Sequence, residues 1–144
     1  MDRRIASLLL CLGLAGSPGL FAQEESEPDK IKVQHILISF KGKSGRYIDR
    51  SKQEAQARAA EVLERARAGD DFSALVKEFS DDAFPGIYLM ANRGIEALPG
   101  EEGRYDMVKS FGDVSFSLDV GEVGFAEYHA TRSPFGWHVI LRLE

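Results

Sequence analysis

The reading of the fold turns on "SPFGWHVILRLE", Ser133 to Glu144. Trp137, Val139, Leu141 and Leu143 alternate as the buried face of a β-strand does. His138 and Ile140 share the other face, which turns polar at Arg142 and Glu144. A second apolar strand with one histidine stands near the start of the chain, "IKVQHILISF", Ile31 to Phe40. There Ile31, Val33, His35 and Leu37 fall on one face, and Ile36, Ile38 and Phe40 make the other apolar as well. A strand apolar on both faces is expected in the middle of its sheet.

The first and last strands of a small sheet can be neighbours, which would put His35 beside His138. Two charged imidazoles side by side in a core are costly. A neutral pair sharing one hydrogen bond, one ring donating and one accepting, is stable there. Such a pair fits a satisfied core contact as well as a site, and spacing alone does not separate the two.

Helical segments fill the interval. Ser51 and Glu54 form an S-x-x-E capping box ahead of an apolar stripe of Ala55, Ala59, Val62, Leu63 and Ala66, with Gly69 placed to end the helix. Asp71 can cap a second helix that buries Phe72, Leu75, Val76 and Phe79. A short strand is expected near Gly86 to Ala91. A short helix in "YDMVKSFGDVSFSL" is expected to turn Met107, Phe111 and Phe116 inward, and a strand follows from Val123 to Ala130. The order β-α-α-β-α-β-β predicts an α+β domain with a mostly antiparallel sheet.

The N-terminus reads differently. Arg3 and Arg4 precede the apolar run "IASLLLCLGLAG", then "SPG" and the small residue Ala22. This is the pattern of a secretory signal, too short to span a membrane. Residues 1–22 are therefore expected to be a cleaved signal peptide and 23–30 a flexible acidic leader, with the folded domain covering 31–144. Removing Asp2, Arg3 and Arg4 takes the net charge of the 144-residue chain from −5 to −6. That balance argues against nucleic acid as a partner. The single cysteine, Cys11, leaves with the signal, so no disulfide framework is expected. After cleavage no membrane partner is expected. The basic loop Lys41 to Arg50 reads as a solvated connection.

Familiar catalytic patterns are missing. There is no G-x-S-x-G nucleophile elbow and no phosphate-cradling glycine loop. A zinc site would need His35, His129 and His138 to converge, since no two of them have a close ligand spacing.

Four blocks, in order, carry a resemblance: "VQHILISF", "GDDFSALVKEFSDD", "MVKSFGDVSFSLDVGEVG" and "SPFGWHVILRLE". Together they resemble parvulin-type peptidyl-prolyl cis-trans isomerases over most of Ile31 to Glu144. The resemblance implies a four-stranded, mostly antiparallel sheet flanked by helices. It implies that His35 and His138 match the family's paired histidines, and that Asp82 matches its catalytic polar position, with Asp81 the neighbouring alternative. Met107 and Phe111 match the proline pocket, and Phe116 an aromatic position beyond it. Tyr88 or Leu89 stands where the family has a pocket leucine, and Ser133, with Thr131, is a candidate for the rim. "AFPGIYLMANRG" is shorter than the glycine-rich block it replaces, which bears on turnover. The implied function is isomerisation of Xaa-Pro bonds in exported polypeptides, by a monomer without cofactor or metal, in the periplasm rather than the medium. The alternatives are a proline-recognising chaperone or binding module with little turnover and, from a different class, a metal-binding secreted protein.

Overall fold

The computed structural model describes residues 26–144, so the expected signal peptide lies outside the described residues. Five strands and three α-helices follow in the order β1 (Lys30–Ile38), α1 (Lys52–Arg67), α2 (Phe72–Phe79), β2 (Ile87–Ala91), β3 (Glu102–Gly103), α3 (Lys109–Ser117), β4 (Val123–Ala126) and β5 (Trp137–Arg142). A single 3₁₀ turn, Arg104–Asp106, leads into α3.

The sheet order is β3-β2-β1-β5-β4, which puts β1 at the centre and beside β5. All pairings are antiparallel except β2 with β3, where Met90 and Ala91 run parallel to Glu102 and Gly103. The implied count of four strands is thus corrected to five. The fifth is two residues long, too short to carry a period that sequence reading can detect.

The alternation in β1 and β5 builds two cores. Ile36, Ile38, Trp137 and Val139 face α1 and α2, where they meet Ala59, Val62, Leu75, Val76 and Phe79. Ile31, Val33 and Ile140 face the opposite side, where Phe111 and Phe116 of α3 pack with Met90. Burying each of the larger side chains contributes about 1.5–3 kcal/mol, enough to set the strand faces irreversibly.

The helix ends follow from local chemistry. Ser51 Oγ accepts from Glu54 N at 3.2 Å and Glu54 returns the bond to Ser51 N at 2.7 Å. Past the end of α1, Gly69 adopts φ +94°, a conformation open to glycine but rare for other residues. Asp71 Oδ1 accepts from Ala74 N at 2.6 Å to start α2.

Two boundaries are corrected. The strand expected to reach Ala130 stops at Ala126, and the chain then closes a small turn in which His129 and Ser133 bridge each other. α3 begins at Lys109, so Met107 and Phe111 are not two positions of one helix. Met107 sits in extended backbone at the end of the 3₁₀ turn. Just before β1, Asn92 donates to Asp29 O (2.8 Å) and Pro28 O (2.9 Å), and Arg104 pairs with the exposed Glu27.

Candidate active site

The sheet register creates the centre of the site. Leu37 lies opposite His138 and Ile140 opposite His35, so the two imidazoles are diagonal neighbours on the α3 face. Their rings stack at 22° with centroids 5.5 Å apart, and the two Nδ1 atoms are 3.3 Å apart. On its far side, His35 Nε2 is 3.2 Å from Asp82 Oδ2.

Asp82 is positioned by the end of α2. Its backbone N–H donates to Ser80 Oγ at 3.2 Å, and its Oδ1 accepts from Ala83 N at 2.8 Å. Tyr88 Oη donates to Oδ2 at 3.4 Å. The hydrogen bond from His35 lowers the Asp82 pKa to about 2, against the opposing effect of burial. Burial, followed by the Asp82 charge, raises that of Tyr88. Asp81, one residue earlier, turns the other way. Its N–H donates to Leu37 O at 2.8 Å, and its carboxylate takes Ser39 N–H at 2.7 Å and the Arg50 guanidinium. Asp81 thus fastens the connection to β1, while Asp82 faces the pocket.

An anionic Asp82 can only accept, so His35 Nε2 donates to it. In a neutral pair the His35 Nδ1 lone pair then accepts from His138 Nδ1–H. His138 is driven to the neutral form: burial first, and the neighbouring His35 second, depress its pKa to about 3. The proton order from His138 through His35 to Asp82 is therefore set by the carboxylate. His138 Nε2 remains buried without a hydrogen-bond partner among the described residues.

Above this chain lies a cavity of about 310 Å³. His35, His138, Asp82 and Tyr88 line it together with the apolar side chains of Met107, Val108 and Phe111. The Phe111 ring stands edge-on to both imidazoles, 5.2 Å from His35 and 5.3 Å from His138 between centroids. The structure therefore brings His35, His138, Asp82, Tyr88, Met107 and Phe111 to one pocket. Leu89 alternates to the opposite sheet face and is half exposed.

Two expected contacts are corrected. Phe116 lies within α3 and not in the turn after it. It is buried beside Arg104 (4.8 Å from ring centre to guanidinium) and does not line the cavity. Ser133 is fully buried, its Oγ donating to Gly136 O at 2.9 Å, so it secures the turn before β5 and offers nothing to the rim; Thr131 is likewise in that turn, its N–H donating to His129 Nδ1. The convergence of three histidines does not form either: His129 accepts backbone N–H bonds from Thr131 and Arg132 in an exposed turn.

Other lining residues escaped the sequence reading. Leu37 shares the His35 face, a signal that alternation already carried. Phe135 and Ser44 come from loops and Asp106 from the 3₁₀ turn, where no period marks which side chain turns inward.

What this arrangement can do is limited and specific. It offers an apolar slot, one carboxylate and a buried imidazole pair of which His138 is uncharged. It suits a ligand group that is apolar on one side and dipolar on the other.

Comparison with known proteins accords with that chemistry. Residues 20–143 match the family model described as the PPIC-type PPIASE domain. A chaperone SurA of Chromohalobacter salexigens is 38% identical over 112 residues, covering 76% of this chain and 21% of that protein. The foldase protein PrsA 4 of Bacillus cereus is 32% identical over 111 residues, covering 77% of this chain and 30% of that protein. The chain thus spans between a fifth and a third of these relatives' length. In fold it resembles the peptidyl-prolyl isomerase ESS1 from Candida albicans, with a TM-score of 0.59 and 21% identity over 83% of this chain and 65% of the other. The match over nearly the whole described chain, in sequence family and in fold, places this protein in the PPIC-type peptidyl-prolyl isomerase (parvulin) family.

Proposed function

We propose that the protein is a peptidyl-prolyl cis-trans isomerase that acts on Xaa-Pro bonds of exported polypeptides and assists their folding. The observation that carries this is the pocket itself: a cavity of about 310 Å³ lined by Met107, Val108 and Phe111 together with a carboxylate and a buried imidazole pair. The likeness to proteins named as a chaperone and a foldase supports polypeptides as the substrate class.

Rotation about an amide crosses a barrier of about 18–20 kcal/mol because the twisted state loses resonance. That state is less dipolar than the planar amide, so a slot that excludes water favours it. Each 1.36 kcal/mol removed from the barrier is about tenfold in rate, so about 5 kcal/mol yields several thousandfold. Met107 and Phe111 hold the proline ring. Asp82, with Tyr88, sets the polarity where the carbonyl swings. His35 and His138 are the floor that keeps Asp82 in place. No covalent step takes part.

The apolar run after Arg3 and Arg4 supports export by a signal peptide cleaved after Ala22, into the periplasm, with residues 31–144 acting as a monomeric domain. Among the described residues no helix is long and apolar enough to cross a membrane.

A second reading, a proline-recognising module without turnover, draws on the exposed apolar side chains Phe84 and Ile87 around β2. One experiment separates the two. NMR exchange spectroscopy on Xaa-Pro peptides is expected to show accelerated cis–trans exchange with the native protein and not with a Met107→Ala, Phe111→Ala double variant. Peptide binding with exchange at the uncatalysed rate would favour the module.

A further inference from the structure

Met107 has two sides. One faces the proline pocket, and the other closes a smaller hollow of about 170 Å³, whose lining includes Arg93, Arg104, Tyr105, Lys109 and Asp113. The hollow's charge is unusual for this chain. Four cations converge on Asp113: Arg93 at 3.1 Å, Arg104 at 3.0 Å, Lys109 at 2.6 Å and Arg132 at 3.6 Å. Among the described residues, Glu27 is the one other carboxylate paired with any of them, through Arg104. Arg132 stands outside the hollow's lining, so three lining cations face Asp113 and Glu27, a local surplus of one positive charge among the described residues on a chain of net charge −5.

The surplus is held by the fold. Arg104 is almost fully buried, and Gly112 of α3 gives it room, since a Cβ there would stand 3.2 Å from its Cγ. Arg104 is thus fixed as the anchor. Arg93, Lys109 and Arg132 are each about half exposed, so their remaining donors reach solvent. One carboxylate cannot satisfy the donors of four cations, and a cleft with one sign of charge concentrates the opposite ion. Asp106, the nearest acid in the chain, lines the proline pocket and not the hollow. The sign of the surface therefore changes across Met107.

The geometry points to a second subsite: the hollow beyond Met107 receives an acidic side chain of the same polypeptide whose proline enters the pocket. The inference rests on the isomerase reading for the identity of that polypeptide. The sharing of Met107 as a common wall ties the two together, because a residue flanking a bound proline has to pass over it. Tyr105, mostly exposed at the rim, adds an aromatic surface for the stem of a glutamate.

The test compares three Xaa-Pro peptides that differ only in carrying Glu, Gln or Lys two to four residues from the proline, on either side. Exchange spectroscopy measures KM and kcat, and amide shifts in ¹⁵N-labelled protein report where each peptide sits. The expected result at low salt is a KM three- to tenfold lower for Glu than for Gln in one placement, with kcat alike. Amides near Arg93 and Lys109 should shift with Glu only. The Glu advantage is expected to fade at about 0.5 M salt, as screening shortens the reach of the charges. It should also collapse in an Arg93→Gln, Lys109→Gln double variant, while Lys77→Gln on α2, which removes a charge elsewhere, keeps the ratio. Equal KM for Glu and Gln in every placement overturns the subsite, as does an unchanged ratio in the double variant. If no peptide is isomerised, the isomerase reading fails by itself, and the amide shifts still decide whether the hollow binds the acidic peptide.

Discussion

Replacing His138 by Asn tests the uncharged state of this buried imidazole through stability. His138 is 5% exposed, and its folded-state pKa is depressed from 6.5 to about 3. The unfolded chain therefore binds a proton below pH 6.5 that the folded chain refuses. Stability rises with pH wherever the unfolded state holds more protons. The contribution is accordingly complete above pH 6.5 and is lost as the pH falls toward about 3, at roughly 1.4 kcal/mol per unit. Between pH 7 and pH 5 the loss integrates to about 2 kcal/mol, a large part of the roughly 5–15 kcal/mol that holds a domain together. The figure depends little on the folded value, because any pKa well below 5 gives the same result over that window. Trp137 is the sole tryptophan and is buried beside His138 in β5, so its fluorescence reports unfolding. Urea titrations at pH 7, 6 and 5 are expected to show the native protein losing about 2 kcal/mol more than His138→Asn, which keeps a donor near the Nδ1 position and does not titrate. Groups common to both proteins cancel in the difference. Equal pH dependence of the two proteins would refute an uncharged, buried His138.

Asp82→Asn removes the anion that orients His35. It should lower kcat/KM for Xaa-Pro peptides about tenfold, some 1.4 kcal/mol of barrier, and an unchanged value would exclude the carboxylate from the reaction. The same change should cost about 1 kcal/mol of stability at pH 7, less than the shift from 3.8 to about 2 implies, because a third of the side chain meets solvent. The Asp82 contribution is present above pH 3.8 and disappears as the pH falls through about 2, so most of its loss follows that of His138. Gly136→Ala should destabilise by about 3 kcal/mol in urea, since φ is +147° and a Cβ would lie 2.2 Å from Ile38 O; a loss under about 1 kcal/mol would contradict that close approach. Arg104→Met should cost about 2 kcal/mol by the same titration. That is below the 3–5 kcal/mol of a broken buried pair because Asp113 keeps Arg93, Lys109 and Arg132, and a neutral outcome would mean the buried guanidinium contributes nothing net.

Both His138 and Asp82 lose their stabilising state on acidification, one below pH 6.5 and the other only in strong acid. In the folded site the carboxylate is thus charged and the His138 ring uncharged at any pH above about 3.

Much of this molecule is written in short-range pattern. The Ser51–Glu54 box, the Asp71 cap, the alanine stripe of α1 and the alternation in β1 and β5 each depend on residues within a turn or two. Local periodicity was enough to place them, and to make β1 central. The ordered family blocks then brought His35, His138, Asp82, Met107 and Phe111 together on paper. What pattern does not carry is the relative placement of distant segments. Asp81 and Asp82 are adjacent, and which of them meets His35 was settled by Arg50 and Ser39 claiming the first. Phe116 and Ser133 look like pocket residues by position, yet packing against Arg104 and a bond to Gly136 turn them away. Phe135 enters the pocket from a turn with no period, and the parallel pair β2–β3 is too short to have one. The histidines themselves stand 103 positions apart, and their shared proton exists only because two strands at opposite ends of the chain become neighbours in the sheet. Backbone chemistry within a few residues sets the elements; burial and charge, which act through space, choose which side chains meet.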